Sequence, residues 1–205
     1  MAEGYDLICG IDEAGRGPLA GPVCAAAVIL SQKDTIGEFP LGILNDSKKM
    51  SPAARENARG IICRDAAAWG IGWASAAEID EINIHRASLL AMKRAFEFML
   101  FELNKHGTLS LCNIHAVVDG LFAPDIPVPC RPMVKADNVI PEVMAASILA
   151  KTARDRLMEY YSLFYPEYGY ETHKGYPTKA HREAILRYGS SPIQRKSFRV
   201  KSPIY

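Results

Sequence analysis

The sequence predicts an α/β domain built on one mixed sheet flanked by helices, with a helical C-terminal extension. Three observations predict it. Short apolar runs of strand length come first, longer segments with helical periodicity separate the later strands, and only helical patterning follows the last strand. With 205 residues and 49% hydrophobic content the chain can bury a sizeable core. We read 1–205 as a single domain, of which about 163–205 is a basic extension.

Residues 7–11 are an apolar run that delivers Asp12 and Glu13 into the turn Gly15-Arg16-Gly17-Pro18. In a regular strand adjacent side chains point to opposite faces, so the two carboxylates converge only if the chain leaves strand geometry at Glu13, which Gly15 and Gly17 permit. Residues 23–30 form a second strand, and the short glycine-proline connection favours an antiparallel pair. The polar stretch 31–50 is a loop. Ser51-Pro52 then opens a helix reaching about residue 67, with serine as cap and proline in the first turn. A short strand, 69–75, is followed by a turn of helix at 76–82 and a long amphipathic helix at 84–105, with Leu89, Met92, Phe96, Met99 and Leu103 on its core face. Gly107 stops that helix. Residues 114–118 form a strand ending in Asp119-Gly120, parallel to its neighbour because a helical crossover precedes it. Prolines 124, 127, 129 and 132 make 121–132 an irregular connection or an edge strand. A helix runs from about 141 to 162 with Val143, Met144, Ile148, Leu149 and Leu157 inward, and a last helix, 178–187, ends at Gly189.

Several classes are excluded by composition. The longest apolar stretch, 19–30, is broken by Gly21 and Pro22 and is too short for the ~20 residues a membrane helix needs. Glu3 and Asp6 stand where a signal peptide is basic and then apolar, so a cytoplasmic location without a membrane partner is expected. Five cysteines, at 9, 24, 63, 112 and 130, include no C-x-x-C pair and read as buried, reduced thiols. The net charge of +1 hides an asymmetry: residues 172–205 carry eight Lys or Arg against Glu183 alone, a net +7, which leaves −6 on the other 171 residues. A basic end on an acidic body points to a polyanion held against one face.

Asp12, Glu13, Asp119 and Asp137 are four acids beside glycine, asparagine or tight turns, three of them closing apolar segments. Carboxylates gathered in this way repel one another unless a cation compensates. Oxygen donors select hard cations, Mg²⁺ or Mn²⁺, and two such ions about 3.5–4 Å apart serve phosphodiester cleavage without a side-chain nucleophile.

The string GIDEAGRGPLAGPV at 10–23 closely resembles the N-terminal signature of the type 2 ribonucleases H, the ribonuclease HII family. Further matches follow along most of the chain: DSKKMS at 46–51, ASAAEIDEINI at 74–84, VVDG at 117–120, AASILAKTARD at 145–155 and HKGYPTKAH at 173–181. The resemblance implies a ribonuclease H-like fold, with Asp12, Glu13, Asp119 and Asp137 as the catalytic, metal-binding set. It implies endonucleolytic hydrolysis of RNA in RNA–DNA hybrids, or at single ribonucleotides in duplex DNA, leaving 5′-phosphate and 3′-hydroxyl ends. Family members place the tyrosine matching Tyr176 at the RNA-to-DNA junction. Two residues depart from the family pattern: Ala136 replaces a usual glycine, which puts the exact position of Asp137 in question, and Gln194 replaces a frequent histidine. The related ribonuclease HIII group carries an additional N-terminal domain and a different glycine loop, so HII fits better.

Residue chemistry extends that implication to substrate contacts. Lys48 and Lys49 precede a helix start where a phosphate is favoured, and Lys174, Lys179, Arg182 and also Lys196 are placed in the basic extension to meet phosphates. Gly15, Arg16 and Gly17 let backbone groups approach a 2′-hydroxyl, the one group that separates ribose from deoxyribose, and Tyr176 can stack on the adjoining sugar. The expected partners are RNA–DNA hybrid and ribonucleotide-containing duplex, bound by a monomer. A non-catalytic nucleic-acid binding module is the competing class, but its acids would oppose the bound polyanion to no purpose. A phosphate-loop nucleotide binder lacks both the Walker pattern and, with alanine at position 20, the GxGxxG fingerprint.

Overall fold

The computed structural model describes residues 7–31, 40–44, 47, 50–105 and 113–199. Five strands form one mixed sheet in the order β3-β2-β1-β4-β5, with β1 Leu7–Ala14, β2 Val23–Ile29, β3 Ala68–Ala74, β4 Ile114–Asp119 and β5 Cys130–Met133. β1, β2 and β3 are antiparallel neighbours, whereas β4 and β5 run parallel to β1. The expected α/β class, the antiparallel opening hairpin and the parallel crossover strand are all present. β5 is the proline-containing edge strand, with Pro132 where an outer edge tolerates a missing donor.

One expectation is corrected. β1 does not leave strand geometry at Glu13: its ladder with β2 continues through Asp12↔Ala26, Glu13↔Ala25 and Ala14↔Cys24. The carboxylates meet by side-chain conformation instead, because Asp12 Oδ1 folds forward to accept the Glu13 N–H at 2.7 Å.

Burial in the strands follows the two-residue period. Val23, Ala25, Ala27 and Ile29 of β2 join Cys9 and Ile11 in a core under α2 (Ala76–Asn104), while Cys24, Ala26 and Val28 face a second core with α1 (Pro52–Asp65) and α3 (Pro141–Phe164). Gly70 and Gly72 allow α2 to lie directly on β3, since a Cβ on either would sit 2.3 Å or less from the Ala95 or Ala91 carbonyl oxygen. The predicted stripe of α2 is buried at Met92, Phe96, Met99 and Leu103, and truncating a phenylalanine so enclosed costs about 3–5 kcal/mol.

α2 contains the break that the sequence placed between its two helical segments. Asn83, at φ 68°, interrupts the helix and caps its second part, its Oδ1 accepting from the N–H groups of His85 (3.0 Å) and Arg86 (3.1 Å). Ser75 and Glu78 make a reciprocal capping box at the start. After α3, Tyr168 of a 3-10 turn, Tyr170 of short α4 (Tyr170–His173) and Ala184 of α5 (Lys179–Tyr188) pack against Ala20 and Met158. Residues 193–195 return to pair with 19–21, so the basic end is stitched to the start of the chain.

Candidate active site

The C-terminal ends of the parallel neighbours β1 and β4 lie side by side, with Ile11 opposite Val118, and this register brings Asp12 and Asp119 together. Asp12, Glu13 and Asp119 line one open cleft of about 220 Å³, with Gly15, Arg16, Gly17 and Tyr176 on its rim and Ser47, Ser147 and Lys151 across from them. Asp137 sits in the 3-10 turn Ala136–Asn138, just before α3. That turn is tied to the cleft because the Ala136 N–H donates to Asp119 Oδ1 at 2.9 Å. Ala136 is fully buried and serves through its backbone, so the turn forms with alanine at this position.

Burial pushes the Asp12 carboxyl well above the usual carboxylate range; the adjacent Glu13 charge adds to the rise, a hydrogen bond from Ser147 opposes it, and Asp119 contributes further. Glu13 is raised in the same way by burial, with Arg16 pulling it back. Arg16 Nη1 donates to Glu13 Oε1 at 3.2 Å, and Glu13 Oε2 is buried among the described residues without any hydrogen-bond partner. An uncompensated carboxylate oxygen facing two further acids fits a hard divalent cation, for which oxygen donors are the preferred set. Among the described residues no three such side chains converge at coordinating distance.

Other predicted contacts divide. Lys48 and Lys49 lie outside the described residues. Tyr176 is 40% exposed, and its ring edge lies 3.6 Å from where a Cβ on Gly17 would be. Lys174 is committed within the protein: its Nζ is 2.9 Å from Glu159 Oε1 and also donates to the Glu171 carbonyl. Lys179 is open to solvent beside Glu183, and Arg182 is half-buried. Arg195, counted in the basic end, is fully buried beneath the glycine loop and offers no charge to the surface.

Sequence reasoning assigned no role to Ser47, Ser147, Lys151, Arg154 or Arg195. Ser147 links Asp12 to Ser47, whose hydroxyl is 2.9 Å away, and Arg55 of α1 fixes that loop through the Ser47 (3.0 Å) and Met50 carbonyls (2.6 Å). A signal was available, since Ser147, Lys151 and Arg154 recur at helical spacing within AASILAKTARD. Burial, and then the charge of nearby Arg154, lower the pKa of Arg195 to about 9.

A mixed sheet whose β1 and β4 ends present acids over a glycine loop is the ribonuclease H-like fold, shared with solved ribonucleases of types HII and HIII. The structure of the PCNA:RNase HII complex from Archaeoglobus fulgidus superposes with a TM-score of 0.71, at 25% identity, over 97% of this chain and 98% of that one. Bst-RNase HIII in complex with Mn²⁺ superposes with a TM-score of 0.68 over 92% of this chain and 64% of that one, at 17% identity. The family model for ribonuclease HII matches residues 9–201. Ribonuclease HII of Treponema denticola is 54% identical over 202 residues, covering 96% of this chain and all of that protein. The chain belongs to the ribonuclease HII family. It is therefore a metal-dependent endoribonuclease acting on the RNA strand of RNA–DNA hybrids.

Proposed function

We propose that this enzyme also cuts at single ribonucleotides embedded in duplex DNA, with Asp12, Glu13, Asp119 and Asp137 holding two divalent ions, Mg²⁺ or Mn²⁺. The observation that carries this reading is the cleft itself, where three carboxylates, one Glu13 oxygen among them buried with no hydrogen-bond partner among the described residues, lie beside the Gly15-Arg16-Gly17 turn and the Tyr176 ring. When bound, such ions activate a water and stabilise the leaving 3′ oxygen of the scissile phosphate.

The chain's own residues prepare that chemistry. Ser147 and the Glu13 N–H hold the Asp12 carboxyl, the Ala136 N–H holds Asp119 Oδ1, and Arg16 holds Glu13 Oε1, so the acids are oriented before any ion binds. Gly15 to Gly17 bring the main chain against the ribose 2′-hydroxyl, and Tyr176 covers the next sugar, so discrimination is local to one nucleotide and needs no long RNA run. Lys179 and Arg182 are the exposed and half-buried cations we assign to flanking phosphates; Lys174, already paired with Glu159, contributes by shaping the turn.

The test is a labelled DNA duplex carrying one ribonucleotide, incubated with Mg²⁺, with Mn²⁺ or with chelator. A single cut with either ion, giving 5′-phosphate and 3′-hydroxyl ends, is the expected result; cutting of continuous hybrid alone would remove the single-ribonucleotide activity.

A further inference from the structure

A buried guanidinium is costly unless all its donors find acceptors, and a carboxylate is the usual partner. Arg195 is 0% exposed and is satisfied differently, its five N–H groups matched by five main-chain carbonyls. Nε donates to Gly21 (2.8 Å), Nη1 to Arg16 (3.0 Å) and Pro18 (2.8 Å), and Nη2 to Gly15 (2.6 Å) and Pro22 (3.1 Å). Arg154 adds Pro22 (3.0 Å), Ala20 (3.2 Å) and Lys174 (3.0 Å). Two cations thus gather the oxygen side of the loop that follows β1.

The N–H and C=O of a trans peptide point in opposite directions, and among the described residues no peptide bond is cis. With the Gly15 and Arg16 carbonyls drawn onto Arg195, the other ends of those two peptide planes, the N–H groups of Arg16 and Gly17, point away from it. Both residues line the acidic cleft. Leu19 and Gly21 on the same loop instead give their N–H groups to the carbonyls of Gly175 and Ile193, each at 2.8 Å. Arg195 is itself held from behind: its N–H donates to the Leu19 carbonyl at 2.9 Å, and Asp80 of α2 accepts the Lys196 (2.9 Å) and Ser197 (2.8 Å) N–H groups.

We infer that Arg195 is a positioning residue for cleavage: without touching substrate, it holds the loop carbonyls and so aims the Arg16 and Gly17 N–H groups at the ribose-phosphate oxygens of the nucleotide in the cleft. The inference rests on the proposed reading of that cleft as a ribonucleotide site. Lysine cannot substitute, because a point charge with three donors does not span five carbonyls.

Two measurements separate this role from the reading beneath it. In the ¹⁵N-labelled native chain without divalent ion, the Arg16 and Gly17 amide signals should move on adding a single-ribonucleotide duplex more than on adding the all-DNA duplex. Equal movement overturns the cleft reading and leaves Arg195 nothing to position. In Arg195→Lys, kcat on the single-ribonucleotide duplex should fall about ten-fold or more, while KM and all-DNA affinity stay within about two-fold. If that chain does not fold, Asp80→Ala loosens the same segment from outside and should show a smaller loss of the same pattern. A folded variant that cuts within about two-fold of native, or one that loses all-DNA affinity as much as kcat, overturns the positioning role.

Discussion

At the end of β1, three carboxylates share a cleft and one buried Glu13 oxygen has no hydrogen-bond partner among the described residues, whereas a few residues later the carbonyls of Gly15, Arg16, Pro18, Ala20, Gly21 and Pro22 are taken by two buried guanidiniums. The acids are held against their own repulsion until a cation arrives. The loop's carbonyls are satisfied within the protein and hold it in one shape. Placing an electrostatically frustrated region against an over-determined one lets the frustrated groups respond to ligand without the frame moving, because the cost of each state falls on side chains and not on the backbone.

The largest effect expected comes from removing the frustration. Asp12→Asn and Asp119→Asn each keep shape while deleting a ligand charge, and each should lower cleavage by about 10³-fold or more. Burial and neighbouring charge raise Asp12, so its ionisation opposes folding at neutral pH. Asp12→Asn should therefore unfold at the same temperature as native or about 2–4 °C higher without metal. Mg²⁺ should raise the native melting temperature and leave this variant nearly unchanged. A substantially lower melting temperature would show that Asp12 holds the fold together.

Next comes the frame. Gly15 has φ +96°, and a Cβ there would lie 2.0 Å from Arg154 Nε. Gly15→Ala must strain its backbone and displace the guanidinium, so we expect a loss of about 2–4 kcal/mol, with activity falling alongside stability. Urea unfolding checks it, and a variant as stable as native would mean the loop is softer than its hydrogen bonds imply.

Much of this contrast was legible from the sequence on its acidic side and hidden on the other. Acids that end apolar runs beside glycine are visible as a pattern, and strand parity together with the β1–β4 crossover turns Asp12 and Asp119 into neighbours. Arg195 had no such signature: among eight basic residues of one segment, local composition says surface, and only the pairing of 193–195 with 19–21, across more than 170 positions, puts it inside. Residue alternation also misled at Glu13, because the rule concerns where Cβ points and not where a flexible carboxylate goes. Lys174 read as a phosphate contact because its partner Glu159 lies on α3, where no local pattern reveals it.

A smaller, selective effect is expected at the rim. Tyr176→Phe leaves the ring against Gly17 and removes only the hydroxyl, so cleavage at a lone ribonucleotide should fall about three- to ten-fold. Continuous hybrid, which presents ribose on both sides of the cut, should be affected less, with the Mg²⁺-induced stabilisation unchanged. Equal losses on both substrates would return Tyr176 to packing.

The smallest effect reverses the sign of the acids. His173 and His181 stack beneath the Tyr176 turn, ring centroids 4.5 Å apart and planes 16° from parallel. His173 Nδ1 accepts the Gly175 N–H at 3.1 Å, which requires that nitrogen to be unprotonated, and burial lowers the pKa of both rings. A histidine lowered in the folded state contributes stability that is present above its unfolded value of about 6.5 and is lost as pH falls below it, because the unfolded chain then binds more protons. Asp12 and Glu13, raised in the folded state, work the other way: the stability they contribute is lost as pH rises through their folded values. Native melting against pH mixes the two, so the comparison needs a His173→Asn/His181→Asn chain, in which the amides preserve hydrogen bonding without titrating. Between about pH 7.5 and about pH 5.5 the native chain should lose on the order of 1 kcal/mol more than this variant. Parallel pH profiles for the two chains would show that the histidine pair tolerates charge, and that the frame under Tyr176 draws its rigidity from the arginine contacts alone.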